Sequence, residues 1–187
     1  CGSHLGNVMI ETIRESPLSG LFEIGVAARS DVRGSFTRIF CEDVFKAVRP
    51  GLHFVQVNLS ETRMRGTVRG LHFQKAPATE CKLIRCLRGA VLDVAVDLRE
   101  GSAGTELSAQ NGRAVFIPEG FAHGFQTLSD DVQLLYHHTA AYSASHESGV
   151  RYDDPVLRIT WPQPVTMVSD RDLAFPLLNP VVTRALP

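Results

Sequence analysis

Cysteine is scarce and tryptophan nearly absent: the 187 residues include four Cys and one Trp. The cysteines show no CxxC spacing, so neither a zinc cluster nor a dithiol redox pair is indicated. Cys1 belongs to Cys1-Gly2-Ser3-His4, which looks like the remnant of a cleaved tag. Cys41, Cys81 and Cys86 then read as reduced, buried thiols of a cytoplasmic protein. No apolar run approaches the roughly 20 residues that span a bilayer. A charged-then-apolar leader is also missing, so no membrane partner is expected. Neither sign of charge dominates: 19 Lys and Arg stand against 20 Asp and Glu, a net charge of -1. Without a basic stripe, a nucleic-acid partner is not expected either. What is present, 44% hydrophobic and 21% charged residues, suits a globular chain long enough to bury a core. The expected organisation is a tag remnant over 1–4 and a single domain over 5–187.

The pattern is all-β. Short apolar runs recur between Gly, Pro, Asn and Asp: Leu21–Ile24, Phe36–Phe40, Phe54–Leu59, Val68–Phe73, Lys82–Leu87, Ala90–Leu98, Ala114–Ile117, Gly124–Thr127, Val132–His138 and Val156–Thr160. In Ala90–Leu98, the residues Val91, Asp93, Ala95 and Asp97 alternate with Leu92, Val94, Val96 and Leu98, the mark of a strand with two different faces. Arg88-Gly89 and Glu100-Gly101 supply turns on either side. Helix is expected only over Glu42–Val48, ended by Pro50-Gly51, and in a turn near Asp170–Ala174. Many short strands with frequent turns predict a sandwich or barrel, of which the jelly roll is one form. The tail after Pro176 is expected to be extended against a partner subunit or frayed.

Two histidines stand beside glycines, in Arg69-Gly70-Leu71-His72-Phe73-Gln74 and Gly120-Phe121-Ala122-His123-Gly124. A lone His in an apolar segment is usually a satisfied core residue, but flanking glycines let a backbone or ligand approach closely. Tyr136-His137-His138 invites a metal reading. Adjacent strand residues point to opposite faces, however, so that pair reads as surface or rim. Gly112, Pro118, Gly120 and His123 match the second cupin motif, G-x5-P-x-G-x2-H, and Gly66 and His72 match the start of the first, G-x5-H-x-H. The second His of that motif is Gln74, and a Lys82 region stands where the acidic ligand is expected. A catalytic metal site takes about three protein ligands. With His72 and His123 alone, a barrel without metal or other cofactor is expected, in an all-β cupin jelly roll with a few short peripheral helices.

From about Gly20 to about Leu178 the chain resembles the dTDP-4-dehydrorhamnose 3,5-epimerase family. The resemblance rests on Asp31-Val32-Arg33-Gly34, Val55–Asn58, Val68–Gln74, Lys82–Cys86, Leu92–Arg99, Ile117–Phe125, Tyr136 with Tyr142, Asp154-Pro155, Ile159–Pro162 and Ser169–Asp172. It implies a jelly-roll homodimer with a nucleotide-sugar substrate inside each barrel. It also implies roles: His72 as general base, Asp172 as its orienting partner, Tyr136 as acid on the far face of the sugar and Lys82 beside the C4 oxygen. Tyr142 would line the same pocket, and Arg33, Gln56, Asn58, Arg69, His123, Glu147 and Arg171 resemble substrate- and diphosphate-contacting positions.

The chemistry gives these identities a reason. A carbon acid beside a ketone needs a base with a pKa near the working pH, which His offers. A carboxylate on the other ring nitrogen fixes the tautomer and stabilises the imidazolium. Enolate charge gathers on the C4 oxygen, where a preplaced ammonium lowers the barrier. Inversion needs a donor on the opposite face, and a phenol serves. Arg suits a diphosphate through its planar fork. Each residue also has a plain alternative. Asp172 could cap the turn it opens, Asp170 could replace it beside His72, and Tyr136 could fill the barrel. Lys82 has the least room for one, since an inward Lys is costly unless something anionic meets it.

Three departures from the family pattern bear on recognition: Ser35-Phe36-Thr37-Arg38 in place of a Phe-Phe-Glu-like run, Val57 in place of an acid in Gln56-Val57-Asn58, and a short Gly101–Glu106 loop. A metal-dependent cupin enzyme and a non-catalytic sugar-nucleotide binder are the other classes to separate. Prolonged EDTA treatment followed by desalting is expected to leave epimerase activity intact. Loss of activity that returns with added Fe, Zn or Mn would reverse that expectation.

Overall fold

The structure, a computed structural model, describes residues 10–178. Cys1–His4 and the tail beyond Leu178 lie outside the described residues. Among those described, no helix is long and apolar enough to cross a membrane.

Among the described residues, thirteen strands and two short helices follow one another. A six-stranded antiparallel sheet runs in the order β1 (Ile10–Glu15), β2 (Phe22–Val26), β10 (Ala114–Ile117), β7 (Lys82–Arg88), β12 (Val132–His138), β5 (Gln56–Thr62). Facing it, a five-stranded sheet runs β13 (Glu147–Gly149), β6 (Val68–Gln74), β11 (Phe121–Thr127), β8 (Ala90–Asp97), β9 (Gly101–Ser108). Between β2 and β5 come a separate ribbon of β3 (Ala28–Asp31) and β4 (Gly34–Thr37), then α1 (Glu42–Phe45). α2 (Asp170–Leu173) is the last of these elements. Two antiparallel sheets that exchange the chain through β5 to β12 make a jelly-roll barrel of cupin type.

Alternation along each strand sorts the side chains into three layers. Ile84, Cys86, Val91, Leu107, Phe121 and Leu134 are among the residues that fill the space between the sheets. Phe45, Leu52, Leu83 and Phe116 pack on the outer face of the six-stranded sheet, beneath the segment carrying α1. Leu71, Val94 and Val96 pack on the outer face of the other sheet, beneath Leu157, Ile159 and Trp161. Both faces of β8 are thus covered, which is why its alternation is apolar on one side and mixed on the other.

Three expectations are corrected. Gly101–Glu106 is not a loop but most of β9, paired with β8 along its whole length. Val156–Thr160 is not a strand: it runs as turns and irregular chain. Its apolar residues are periodic because they cover a sheet, without a ladder partner of their own. The Glu42–Val48 helix is shorter than expected, with regular helix only to Phe45.

The strands that carry the two glycine-flanked histidines meet very closely. A methyl group on Gly124 of β11 would lie 2.6 Å from the Arg69 carbonyl oxygen and 2.8 Å from Leu71 Cδ2. Only glycine permits this approach. Gly124→Ala is expected to cost about 2–3 kcal/mol, in the range of core overpacking, and to lower the melting temperature by roughly 5–10 °C. An unchanged melting temperature would show that β6 and β11 can part without loss.

Candidate active site

Register builds the site. His72 of β6 lies opposite His123 of β11, and across the barrel Tyr136 of β12 lies opposite Asn58 of β5, with His138 opposite Lys82 of β7. Inward residues of one wall, His72, Gln74 and His123, therefore face those of the other, Asn58, Ser60, Lys82, Tyr136 and His138. They line a cavity of about 310 Å³ at the open end of the barrel.

His72 Nε2 lies 2.8 Å from Asp172 Oδ1, across 100 residues of sequence. The other Asp172 oxygen accepts the Gly70 N–H at 2.9 Å. Ser169, not Asp172, caps α2, its hydroxyl accepting the Asp172 N–H at 3.1 Å. The partner of His72 is thus Asp172 rather than Asp170. Burial pushes the Asp172 carboxyl upward, but the hydrogen bonds from His72 and Gly70 outweigh it and hold it at about 2. An ionised carboxylate only accepts, so Nε2 carries a ring proton, and in the neutral ring the lone pair is on Nδ1. Arg171 Nη2 stands 3.3 Å from the same Nε2. A nitrogen donating to Asp172 has no lone pair left for it, so the shorter, charge-assisted contact prevails. The Phe175 ring meets His72 edge-on at 5.6 Å.

His123 Nε2 lies 2.8 Å from Asp93 Oδ2, and both side chains are buried. Burial lowers the His123 pKa against the pull of Asp93. The Tyr136 ring sits 6.0 Å from that of His123 and is stacked 6.0 Å from that of His138. Burial raises the pKa of its phenol well above the ordinary value, with Ser60 at 3.5 Å opposing weakly. The phenol is therefore protonated throughout the neutral range. Lys82, 7% exposed, meets Glu80 at 3.4 Å and the His72 carbonyl at 3.4 Å. Gln74, in the position of the missing cupin histidine, has its amide committed to backbone: it donates to the carbonyls of Ala78 and Ala141 and accepts the Ser143 N–H.

Of the other residues singled out in the sequence, Asn58, Arg69, Tyr142, Glu147 and Arg171 line the cavity. Tyr142 donates to Glu147 at 3.0 Å, and Arg171 reaches both Glu147 oxygens at 3.2 Å. Gln56 is not among the lining residues; its side-chain oxygen accepts the Tyr142 N–H at 2.9 Å. Arg33 is not brought to the cavity of its own chain. It lies in the turn of the exposed β3–β4 ribbon, paired with Asp31 at 2.6 Å. Arg38 is exposed just beyond that ribbon.

Sequence reading passed over Glu80 and placed His137 and His138 together at the surface or rim. The structure separates them. His137 faces outward against Phe40 and Phe54, while His138 is 12% exposed and forms part of the cavity wall. The signal was there: His138 shares the parity of Tyr136, and Glu80 that of Lys82.

A jelly roll whose open end holds paired titratable side chains defines the class, a cupin-type barrel equipped for proton transfer. Residues 15–180 match the family described as dTDP-4-dehydrorhamnose 3,5-epimerase, and the chain belongs to that family, which makes it an isomerase. The dTDP-4-dehydrorhamnose 3,5-epimerase of Sinorhizobium fredii is 46% identical over 155 residues, 79% of this chain and 80% of its own. The dTDP-4-dehydrorhamnose 3-epimerase of Streptomyces niveus is 40% identical over 167 residues, 86% of this chain and 80% of its own. The crystal structure of the Legionella pneumophila dTDP-6-deoxy-D-glucose-3,5-epimerase, in complex with dTDP-4-keto-L-rhamnose, superposes with a TM-score of 0.85 at 36% identity, covering 94% of this chain and 97% of that one.

The Asp172 contacts carry a pH dependence with a definite sign. A carboxyl held at about 2 in the folded chain, against an ordinary 3.8, stabilises the fold above pH 4. That stabilisation is lost as the pH falls through the folded value. The shift corresponds to about 2 kcal/mol. Wild type is expected to melt above Asp172→Asn at pH 7, and the gap should close between about pH 4 and 2. A gap that persists at pH 2 would mean that the carboxylate contributes nothing through its ionisation.

Proposed function

We propose that the cavity epimerises a dTDP-linked 4-keto-6-deoxyhexose at the carbons beside its ketone, C3 and C5, without a cofactor. His72 Nδ1, whose lone pair is free because Nε2–H is held by Asp172, takes the proton from the carbon. The C–H electron pair moves toward the C4 oxygen, and the Lys82 ammonium meets the charge that gathers there. Tyr136 then delivers a proton to the opposite face. Its phenolate is reprotonated from solvent, and the imidazolium returns its proton to solvent, so base and acid are restored. The observation that carries this reading is placement: His72 and Tyr136 rise from facing sheets, with Lys82 lining the same cavity. A base and an acid on opposite walls are what inversion at one carbon needs.

Arg69 and Arg171 at the rim suit the diphosphate, with Asn58, Tyr142, Glu147 and His123 around the sugar and Gln56 fixing the Tyr142 backbone. Arg33 can serve a substrate only from a second copy of the chain. A homodimer is part of this proposal. It is supported by the edge strand β5 and the residue before it, where Val55, Val57 and Leu59 are 54%, 56% and 55% exposed, an apolar row along an unpaired sheet edge that a second chain could cover. The free thiols of Cys41, Cys81 and Cys86 support a cytoplasmic location.

Incubation with the 4-keto sugar nucleotide in D2O, followed by NMR, tests the roles. His72→Ala should abolish deuterium entry at every inverted carbon, a loss of about 10²–10⁴-fold. Tyr136→Phe should leave proton abstraction possible, so product formation falls further than exchange does. Exchange at wild-type rate without His72 would remove it as the base. A parallel fall of exchange, product and melting temperature in Tyr136→Phe would reduce Tyr136 to packing and move the acid role toward Tyr142.

A further inference from the structure

Lys82 is a charge in a place that disfavours charge. Its side chain is 9% exposed, and the only carboxylate within ion-pair distance among the described residues is Glu80, whose side chain is 8% exposed. Glu80 precedes β7 by two residues. In extended chain, residues two apart share a face, so Glu80 and Lys82 enter the barrel side by side while Cys81 turns outward, its N–H held by Thr139 Oγ1 at 2.8 Å.

Glu80 is fixed from a second strand. Its Oε2 lies 2.8 Å from Nδ1 of His138, and His138 pairs with Lys82 across the β12–β7 ladder. Asn58 Nδ2 approaches His138 Nε2 at 3.3 Å. The carboxylate can only accept, so His138 Nδ1 holds a proton and donates to Glu80. Asn58 thus meets His138, His138 donates to Glu80, and Lys82 donates to the remaining Glu80 oxygen. The chain runs from the cavity rim on β5 to the ammonium on β7.

We propose that Glu80, held in place by His138, is a positioning residue that keeps Lys82 charged and aimed at the C4 oxygen of the substrate. The inference rests on the reading of Lys82 given above. Burial pushes the Lys82 ammonium below the ordinary lysine range, and Glu80 is the largest influence opposing it, ahead of Asp93 of β8 and Glu147 of β13. The other titratable groups that share the cavity with Lys82 are Arg69 and His72 of β6, His123 of β11, Tyr136 and His138 of β12, and Tyr142 and Arg171. Glu147 is itself engaged by Arg171 and Tyr142, and Asp93 by His123. Glu80 is the carboxylate placed to answer the lysine. A neutral amine at Lys82 would offer the enolate a hydrogen bond in place of a full charge, a difference felt in the transition state more than in substrate binding.

A double-mutant cycle read by kinetics separates this from a merely structural ion pair. Four proteins are compared from pH 6 to 10: wild type, Glu80→Gln, Lys82→Met and the double variant. Glu80→Gln should lower kcat at pH 8 by about tenfold or more with KM little changed, and should move the alkaline limb of the kcat profile acidward by about one pH unit. In the Lys82→Met background the same change should cost less than about twofold, because its target is gone. A Glu80→Gln variant with wild-type kcat and alkaline limb, while Lys82→Met is impaired, overturns the role of Glu80 alone. Equal losses in both backgrounds overturn it as well. Wild-type kcat in Lys82→Met would instead remove the role of Lys82, and that of Glu80 with it. Should Glu80→Gln fail to fold, 15N NMR of lysine-labelled wild type reads the Lys82 side chain directly. An ammonium through pH 8 supports the proposal, and a neutral amine at pH 7 overturns it.

Discussion

Each buried carboxylate in the open end of this barrel has to be answered by a hydrogen-bonding partner, and that constraint organises the site. Removing a carboxylate or an ammonium from water costs several kcal/mol unless a partner and hydrogen bonds replace the lost solvation. Here each answer comes from a different part of the chain. Asp172 reaches β6 from α2, Asp93 reaches β11 from β8, and His138 reaches Glu80 from β12. The sheets can close around charged side chains because their register brings these partners level. A slip of one residue in β6 would turn His72 out of the barrel and leave Asp172 buried without its partner.

The same pairing sets the titratable groups apart in a way that suits the proposed proton transfer. Asp172 is low enough to remain an anion at any working pH, so it can hold the His72 ring and answer the imidazolium without competing for the proton. Tyr136 is shifted the other way by burial, which keeps a proton available on the opposite wall. In the proposed roles, base and acid therefore stand in very different environments on facing walls of one cavity. The general rule that environments drive titratable groups apart to set acid–base roles applies directly.

The outer layers serve the inner one. The segment from Val150 to Trp161 carries no strand, yet Leu157, Ile159 and Trp161 cover the back of the sheet that holds His72 and His123. The chain then continues to α2, and the Ser169 cap leaves the Asp172 carboxylate free for the site. The C-terminal layer is thus both a hydrophobic cover and the carrier of the carboxylate. The cover is thereby tied to His72 through the Asp172 side chain.

Much of this was legible in the chain itself. The alternation of β8, the Arg88-Gly89 turn and the glycines around His72 and His123 are local features, and local sterics and two-residue periodicity read them directly. Strand β9 was not legible, because Gly101, Ser102, Ala103 and Gly104 carry too little apolar contrast to show a period. Val156–Thr160 misled in the opposite way, since residues that cover a sheet and residues that belong to one share the same apolar signature. The choice of Asp172 over Asp170, the burial of His138 and the meeting of Glu80 with it were decided by tertiary structure. Contacts between residues 58 or 100 positions apart depend on strand register and sheet order, which no local pattern encodes. Residue types and their faces follow from the sequence; which carboxylate meets which histidine follows from how the sheets close, since a buried charge takes whichever partner the register brings within hydrogen-bond distance.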